Sequence, residues 1–223
     1  MMVSKINGQT GDPADSVIPV QRCNDFEITG DGGNNEWAKA AWIDLSRNGS
    51  TVAYVTRLKI MYSKTGIYCL YDCEDRKITA TMKGDNLDLW NEDVIEAFFW
   101  ADESIPVYFE YELSPLNYEL ILMVPNYKGR FLGWIPWHYE NERKTRHAVS
   151  VKKNNNLTER WYGEFFIPYE LMKPMVAEPP KKGDKWRANF YRIDYDNQST
   201  EWYWMPVVNN FHDYLLFGTI EFQ

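Results

Sequence analysis

Hydrophobic and polar positions along the chain alternate with the two-residue period of β-strands. In residues 56–62, for example, Leu58, Ile60 and Tyr62 alternate with Arg57 and other neighbours, as in a strand with one buried face. Further strands are predicted at residues 66–73, 94–100, 107–113, 118–124, 131–135, 147–151, 160–167, 185–193, 202–205 and 219–222.

Clusters of Gly, Asn, Asp and Pro separate the predicted strands, and helical patterns are scarce. Many short strands between turn clusters predict an all-β fold, an antiparallel β-sandwich of immunoglobulin-like or jelly-roll-like type. One or two short helical turns are expected, at residues 36–41 and 169–173. We predict an irregular N-terminal lead-in at residues 1–24 and a single sandwich domain at residues 25–223, since no linker divides the chain.

Charge and apolar content exclude several classes of partner. The net charge is −8, which argues against nucleic acid and against anionic membrane surfaces, since both need clustered basic residues. No apolar run reaches the ~18 residues of a membrane span. The N-terminal residues lack the apolar segment of a signal peptide, so the chain as given carries none.

The three cysteines are expected to be free and buried. Cys69 and Cys73 lie four residues apart in one predicted strand, so their Cα atoms should be ~13 Å apart, too far for a disulfide. A bridge would have to use Cys23, and we favour three free thiols because free cysteine is among the most buried residue types.

The strand at residues 94–100 contains the most informative polar residue. It is apolar on both faces except for Glu96, and an unpaired carboxylate among apolar neighbours is costly. Trp90, six residues upstream, can project over the same face, so that a sugar ring could stack on the indole while its hydroxyls bond to the carboxylate. The alternative is a core tryptophan and an internal ion pair between Glu96 and Arg192.

Other polar and aromatic residues extend this candidate site. If the next strand pairs with residues 94–100, Glu96 and Glu110 share a face, which suits glycoside hydrolysis, calcium binding or an ordinary paired surface. Near the C-terminus, Phe211 offers a second stacking surface. Residues that could bond hydroxyls there are Asn209, Asn210 and His212.

Two further segments carry weaker signals. The aromatic loop at residues 133–138 is at best a secondary platform. The acidic turn that ends in Asp75 could hold calcium, although a solvated turn explains it as well. The histidines lack metal-ligand spacing, and no phosphate-binding loop, serine-nucleophile motif, zinc pair or haem-attachment motif is present.

The order of these motifs resembles the family 9 carbohydrate-binding modules over about residues 28–222. The matching segments are ITGD at 28–31, EW at 36–37, TRLKIMY at 56–62, GIYCL at 66–70, Trp90 with EDVIEAF at 92–98, EFFIP at 164–168, Trp186 with NFYR at 189–192, and FH at 211–212 with FGTI at 217–220. The resemblance implies a β-sandwich that binds sugars, often at the reducing ends of chains, with structural calcium in some members.

The resemblance also implies roles for particular residues. The family clamps a sugar between two tryptophans. The first matches Trp90, and the sugar-bonding carboxylate matches Glu96. The second clamp position falls on Phe211, a smaller ring, and an arginine of well-known members falls on Glu110, which reverses the charge. Arg192 is expected as a further polar contact to the ligand.

We therefore expect a non-catalytic module for plant-type polysaccharide such as xylan or cellulose fragments. By resemblance it would be extracellular or periplasmic and would support polysaccharide breakdown beside a glycoside hydrolase. It would require no cofactor, although it could hold a structural calcium ion. One alternative is a glycoside hydrolase that uses Glu96 and Glu110. Another is a haem-binding or structural sandwich domain.

Overall fold

The described residues form fifteen strands and four short 3-10 turns. The structure, a computed structural model, describes residues 16–48, 53–137, 140–155, 157–196 and 198–223. The strands are β1 (Val17–Arg22), β2 (Ile43–Asp44), β3 (Ser46–Arg47), β4 (Thr56–Tyr62), β5 (Gly66–Glu74), β6 (Val94–Trp100), β7 (Val107–Leu113), β8 (Glu119–Tyr127), β9 (Arg130–Phe131), β10 (Ile135–Pro136), β11 (Arg146–Asn154), β12 (Leu157–Pro168), β13 (Lys185–Asp194), β14 (Thr200–Tyr203) and β15 (Gly218–Phe222). The 3-10 turns are Asn35–Lys39, Leu89–Asn91, Asn141–Arg143 and Tyr214–Leu216.

Two sheets are joined through β1. Hydrogen-bonded neighbours follow the order β10-β8-β7-β6-β13-β15-β1-β4-β5-β12-β11. β1 pairs with β15 over Val17–Val20 and with β4 over Gln21–Arg22. The first sheet therefore runs from β10 to β15, with β14 beside β13, and the second runs from β4 to β11.

The main hydrophobic core lies between the sheets, which makes the fold a β-sandwich. Alternate residues of β6, such as Ile95 and Phe99, join the same buried cluster as Tyr71, Trp161 and Phe165 of the second sheet. The predicted all-β sandwich is confirmed. Within the described part of the chain, no helix has the length and apolar character that a membrane crossing requires.

The main departures from the sequence prediction lie at the N-terminus and in one loop. Val17–Arg22 is a strand, not part of an irregular lead-in, because Ile18 and Val20 alternate inward while their neighbours face out. Its pairing with both β15 and β4 is parallel, so the sheet system is mixed and not wholly antiparallel. The strand predicted at residues 131–135 is replaced by the two-residue strands β9 and β10 on either side of a loop.

The cysteine prediction is confirmed, since Cys23, Cys69 and Cys73 are all free and buried. Burial raises the pKa of the Cys23 thiol to about 12 and that of Cys69 well above its ordinary value. All three therefore remain neutral thiols at pH 7.

One buried carboxylate fastens the N-terminal loop to the outer face of the second sheet. Oε2 of Glu164 accepts hydrogen bonds from the backbone N–H groups of Thr29 (3.0 Å), Gly30 (2.6 Å) and Gly32 (3.4 Å). Oε1 accepts from Nε1 of Trp37 at 2.8 Å. Gly30 has a φ of +84°, a backbone conformation that residues with a Cβ atom rarely adopt. Three sequence segments that resemble the family thus meet at one side chain.

Candidate functional site

The candidate site lies on the face of the first sheet that points away from the sandwich core. β6 and β7 are antiparallel neighbours, with Glu96 directly opposite Glu112 and Phe98 opposite Glu110. Directly opposite residues share a face, so all three glutamates lie on one surface. The sequence-based expectation that Glu96 and Glu110 share a face is therefore confirmed.

A cavity of about 290 Å³ opens over these glutamates. Its lining contains most of the predicted site residues. The lining residues are Asn48, Trp90, Glu96, Glu110, Glu112, Leu122, Trp134, Ile193, Glu201, Val207, Val208, Asn209, Asn210, Phe211 and His212. The volume is at the small end for ligand pockets, which suits the end of a sugar chain better than a long internal segment.

Trp90 is held at the cavity by the 3-10 turn Leu89–Asn91, whose Leu89 is buried. The backbone oxygen of Trp90 accepts a 2.7 Å hydrogen bond from the Tyr195 hydroxyl. Asp93 accepts from the N–H of Tyr195 at 2.8 Å and from the N–H of Thr79. Asp93, next to β6, therefore holds the surrounding loops in place. The half-buried indole of Trp90 forms one wall of the cavity.

Trp134 supplies an aromatic surface that the sequence indicated only as a secondary platform. It is 45% exposed and makes an edge-to-face contact with Trp90, with ring centroids 5.2 Å apart. On its other side it lies nearly parallel to Phe131 and to His212. Its position in a loop between two minimal strands gave no periodic signal that it would reach the cavity.

Phe211 is more buried than a free stacking surface would be. It is 9% exposed and stacks on Tyr191, with centroids 4.0 Å apart and planes 8° apart. The Tyr191 hydroxyl donates to the backbone oxygen of Phe211 at 2.9 Å. Phe211 thus lines the cavity as a fixed ring with one face already covered.

The amide side chains of the C-terminal loop have partners within the loop. Nδ2 of Asn209 donates to Oδ1 of Asp213 at 3.0 Å, and Oδ1 of Asn210 accepts from the N–H of His212 at 2.8 Å. Both asparagines are exposed and line the cavity, so their remaining amide groups face its mouth.

Arg192 lies away from the cavity, which corrects two of the sequence-based interpretations. It follows Tyr191 on β13 and therefore points to the opposite sheet face. Its Nη2 bonds to Asp194 at 2.6 Å and to Asp75 at 3.1 Å, with all three side chains fully buried. Arg192 is thus neither a ligand contact in the cavity nor the ion-pair partner of Glu96.

Few hydrogen bonds and ion pairs offset the burial of the cavity glutamates. Glu96, Glu110 and Glu112 are 2%, 4% and 0% exposed. Within the described residues, no N–H group or hydroxyl donates to either carboxyl oxygen of Glu112 or to Oε2 of Glu110. The two carboxyl groups hydrogen-bond to each other when one keeps its proton. Glu96 makes no ion pair with any of the described residues.

These surroundings change the pKa values of the site. Burial, and then the neighbouring Glu110 and Glu201, raise the pKa of Glu96 well above its ordinary value. Burial raises the pKa of Glu110 to about 8 and the pKa of Glu112 well above its ordinary value. Burial lowers the pKa of His212 to about 4, so this ring, 3.8 Å from Glu110, is uncharged at pH 7.

A second acidic group lies on the other face of β13. Carboxylate oxygens of Asp75, Asp194 and Asp196 lie within 4.8 Å of one another. Oδ2 of Asp196 accepts a 2.7 Å hydrogen bond from Tyr54, while its buried Oδ1 has no hydrogen-bond partner among the described residues. With Arg192, the group has three carboxylates and one cation, a donor set that fits a hard, oxygen-binding ion.

Comparisons with known proteins identify the fold. No family model matches the chain. A mouse protein, the UPF0462 protein C4orf33 homolog, is 33% identical over 91 residues, or 41% of this chain and 40% of that protein. The chain therefore matches less than half of that relative's length.

Solved structures match over nearly the whole chain. A candidate carbohydrate-binding protein of Bacteroides uniformis aligns with a TM-score of 0.74 at 17% identity, covering 93% of this chain and 99% of that one. A family 9 carbohydrate-binding module of Caldicellulosiruptor kristjanssonii in complex with glucose gives a TM-score of 0.67 at 13% identity, covering 93% and 96%. The same kind of module with cellotriose gives 0.67 at 12% identity, covering 93% and 94%. The chain thus has the fold of the family 9 carbohydrate-binding modules.

Proposed function

We propose that this domain binds carbohydrate without transforming it, holding the end of a sugar chain in the cavity over β6 and β7. The observation that carries the proposal is the meeting of Trp90, Trp134 and buried carboxyl groups in one cavity of about 290 Å³. Aromatic faces suit the apolar side of a pyranose, and carboxyl oxygens with free acceptor capacity suit its hydroxyls. The fold supports the proposal, because similar modules were solved with glucose and with cellotriose.

The individual roles follow from the geometry of the cavity. Trp90 and Trp134 form the stacking wall, and Phe211 contributes a fixed ring to the lining. At the buried end of the cavity, Glu96 and Glu110 accept hydrogen bonds from the hydroxyls of the sugar. The exchange of water for protein partners gives each hydroxyl little net free energy, so we expect a modest affinity.

The carboxyl groups support binding more than hydrolysis. A glycosidase needs one carboxyl group that keeps its proton and another that is ionised. Here burial raises the pKa of Glu96, Glu110 and Glu112 in the same direction, so no such division of roles arises. Release of reducing sugar by the purified domain, abolished in Glu96→Gln, would support the hydrolase alternative instead.

The test of the proposal is calorimetric titration with glucose, cellotriose and xylotriose. Trp90→Ala should weaken binding at least about tenfold, since it removes one stacking face. Trp42→Ala is the matched control, because this half-buried indole lies against Arg57 outside the cavity lining. Equal affinity of the wild type and Trp90→Ala, or no binding of any of the three sugars, would refute the proposal.

We also propose a structural calcium ion at Asp75, Asp194 and Asp196. Two of the carboxylates, Asp75 and Asp194, pair with the Arg192 guanidinium, and Asp196 lies beside them, so a divalent cation would balance the remaining charge while tying β5 to the segment that follows β13. Such an ion would stabilise the fold and take no part in binding the sugar, since these residues lie outside the cavity lining.

The biological setting is a further proposal drawn from the family resemblance. We propose an extracellular or periplasmic protein that supports the breakdown of plant-type polysaccharide such as xylan, beside a glycoside hydrolase. Fractionation of the source cells, followed by a pull-down with xylan or cellulose, would test this setting.

A further inference from the structure

The cavity has an unusual balance of acidic and basic groups. Four glutamates line it, namely Glu96, Glu110, Glu112 and Glu201, and no lysine or arginine does so among the described residues. The nearest basic side chain, His212, is neutral at pH 7 because burial lowers its pKa to about 4. A neutral sugar does not need this excess of acidic groups over basic ones.

The buried end of the cavity also lacks donors. The carboxyl oxygens of Glu112 and Oε2 of Glu110 receive no hydrogen bond from any N–H group or hydroxyl of the described chain. Glu112 is fully buried, so water does not compensate it from outside. Once Glu110 loses its proton, its carboxylate only accepts hydrogen bonds, so the ionised form needs a partner that donates them.

A shared divalent cation does not account for this arrangement. Among the described residues, the acidic groups whose oxygens converge closely enough for a metal ion are Asp75, Asp194 and Asp196, on the other face of β13. The cavity glutamates do not converge in this way. An ammonium group fits them better, because it offers three donors without needing a closed coordination shell.

The aromatic wall favours the same ligand chemistry. Trp90 and Trp134 meet edge to face at 5.2 Å beside the glutamates. Indole faces attract cations as well as the apolar faces of sugar rings. A ligand with both a pyranose ring and a positive charge uses both properties of the wall.

Resting on the proposed function, we infer that the preferred ligand is a sugar with a free amino group, whose ammonium donates to Glu110 while its ring packs on Trp90 and Trp134. On binding, the ammonium takes the place of the proton of Glu110, which leaves to solvent, while Glu112 keeps its own proton. A neutral sugar causes no such release.

The test compares glucose, glucosamine and N-acetylglucosamine by calorimetry at pH 6.5 in low salt. Glucosamine should bind at least about tenfold more tightly than the other two, because charge-assisted hydrogen bonds are roughly twice as strong as neutral ones. The advantage should shrink as salt is added. Titration in two buffers with different ionisation enthalpies should show release of up to about one proton for glucosamine alone.

Glu110→Gln tests the position of the ammonium group. This variant keeps the size of the side chain and removes the carboxyl group that would ionise on binding, so the ratio of the glucosamine to the glucose affinity should fall at least several-fold. Glu27→Gln, at a carboxylate that is 92% exposed, should leave the ratio unchanged. A thermal unfolding curve establishes that each variant is folded.

The outcomes separate this inference from the proposed function. Binding of glucose as tight as that of glucosamine would overturn the inference and keep the function. Failure of all three sugars, together with cellotriose and xylotriose, would overturn both. An advantage for glucosamine that persists in folded Glu110→Gln would overturn the assigned position of the ammonium group.

Discussion

The stability of this protein should fall as the pH rises from 5 to 8, and Glu110 should account for much of the fall. Burial raises its pKa from 4.5 to about 8. Between these two values the unfolded chain has lost a proton that the folded chain keeps. Raising the pH therefore favours the unfolded state, by about 1.4 kcal/mol per pH unit for one such group. At pH 7 the cost from Glu110 is roughly 3 kcal/mol.

Other ionisable groups face Glu110, so the comparison must isolate its contribution. These groups are Glu96, Glu112, Glu201, Tyr108, Tyr191 and His212. The difference between the wild type and a Glu110 variant cancels the part of the pH dependence that does not involve Glu110, and it leaves the titration of Glu110 together with its effect on neighbours such as Glu96. Glu110→Gln is suitable, since the amide keeps an acceptor oxygen for the proton of Glu112.

The assay is urea unfolding followed by tryptophan fluorescence at pH 5, 6, 7 and 8. At pH 5 the wild type and Glu110→Gln should have similar free energies of unfolding, because both side chains are neutral in the folded state. At pH 8 the variant should be the more stable protein by a few kcal/mol. Glu27→Gln, at an exposed position, should show no such trend. A constant difference across this range, or one that favours the wild type as pH rises, would refute the reasoning.

Two further predictions concern sites outside the cavity. Glu164→Gln should lower the free energy of unfolding by about 2 to 4 kcal/mol, because one carboxylate oxygen that accepts N–H donors becomes an NH₂ group. Urea unfolding measures this change, and the control Glu159→Gln, at an exposed position on the same strand, should change little. Equal unfolding midpoints for the two variants would contradict this role of Glu164. Calcium at about 100 times its Kd should stabilise the wild type by about 3 kcal/mol, seen as a rise in Tm. This rise should be lost in Asp196→Asn and kept in Asp44→Asn, and a calcium-independent Tm in the wild type would remove the proposed ion.

The regular strands could be predicted from the sequence because their side-chain alternation is a local property. β4, β6 and β7 begin and end at the predicted residues. β1 was missed since Pro19 interrupts a short apolar alternation, and its position between two sheets depends on pairing with Met61–Tyr62 and with Thr219–Phe222, both far from it in the sequence. Such long-range pairing leaves no local signal.

The site shows the same division between local and long-range information. Glu96 stood out because it is a single acid in an apolar strand, and Trp90 followed from its place before that strand. Arg192 was misplaced because the alternation of β13 does not say which of its faces points toward the cavity. Only the pairing of Tyr191 with Glu96 assigns the faces, and it sends the neighbouring arginine to the other side.

The stability cost and the binding capacity of the cavity arise from one physical property. Glu96, Glu110 and Glu112 project from strands whose opposite face is the sandwich core, and the Tyr71 hydroxyl of the second sheet bonds to the backbone oxygen of Glu96 at 2.7 Å. The carboxyl groups therefore cannot move outward into water to relieve their burial. A ligand that brings hydrogen-bond donors into the cavity supplies the partners that these carboxyl groups lack within the fold, and it meets acceptors that are already fixed in place. A flexible, solvated cluster of acids would cost less stability but would lose conformational freedom on binding.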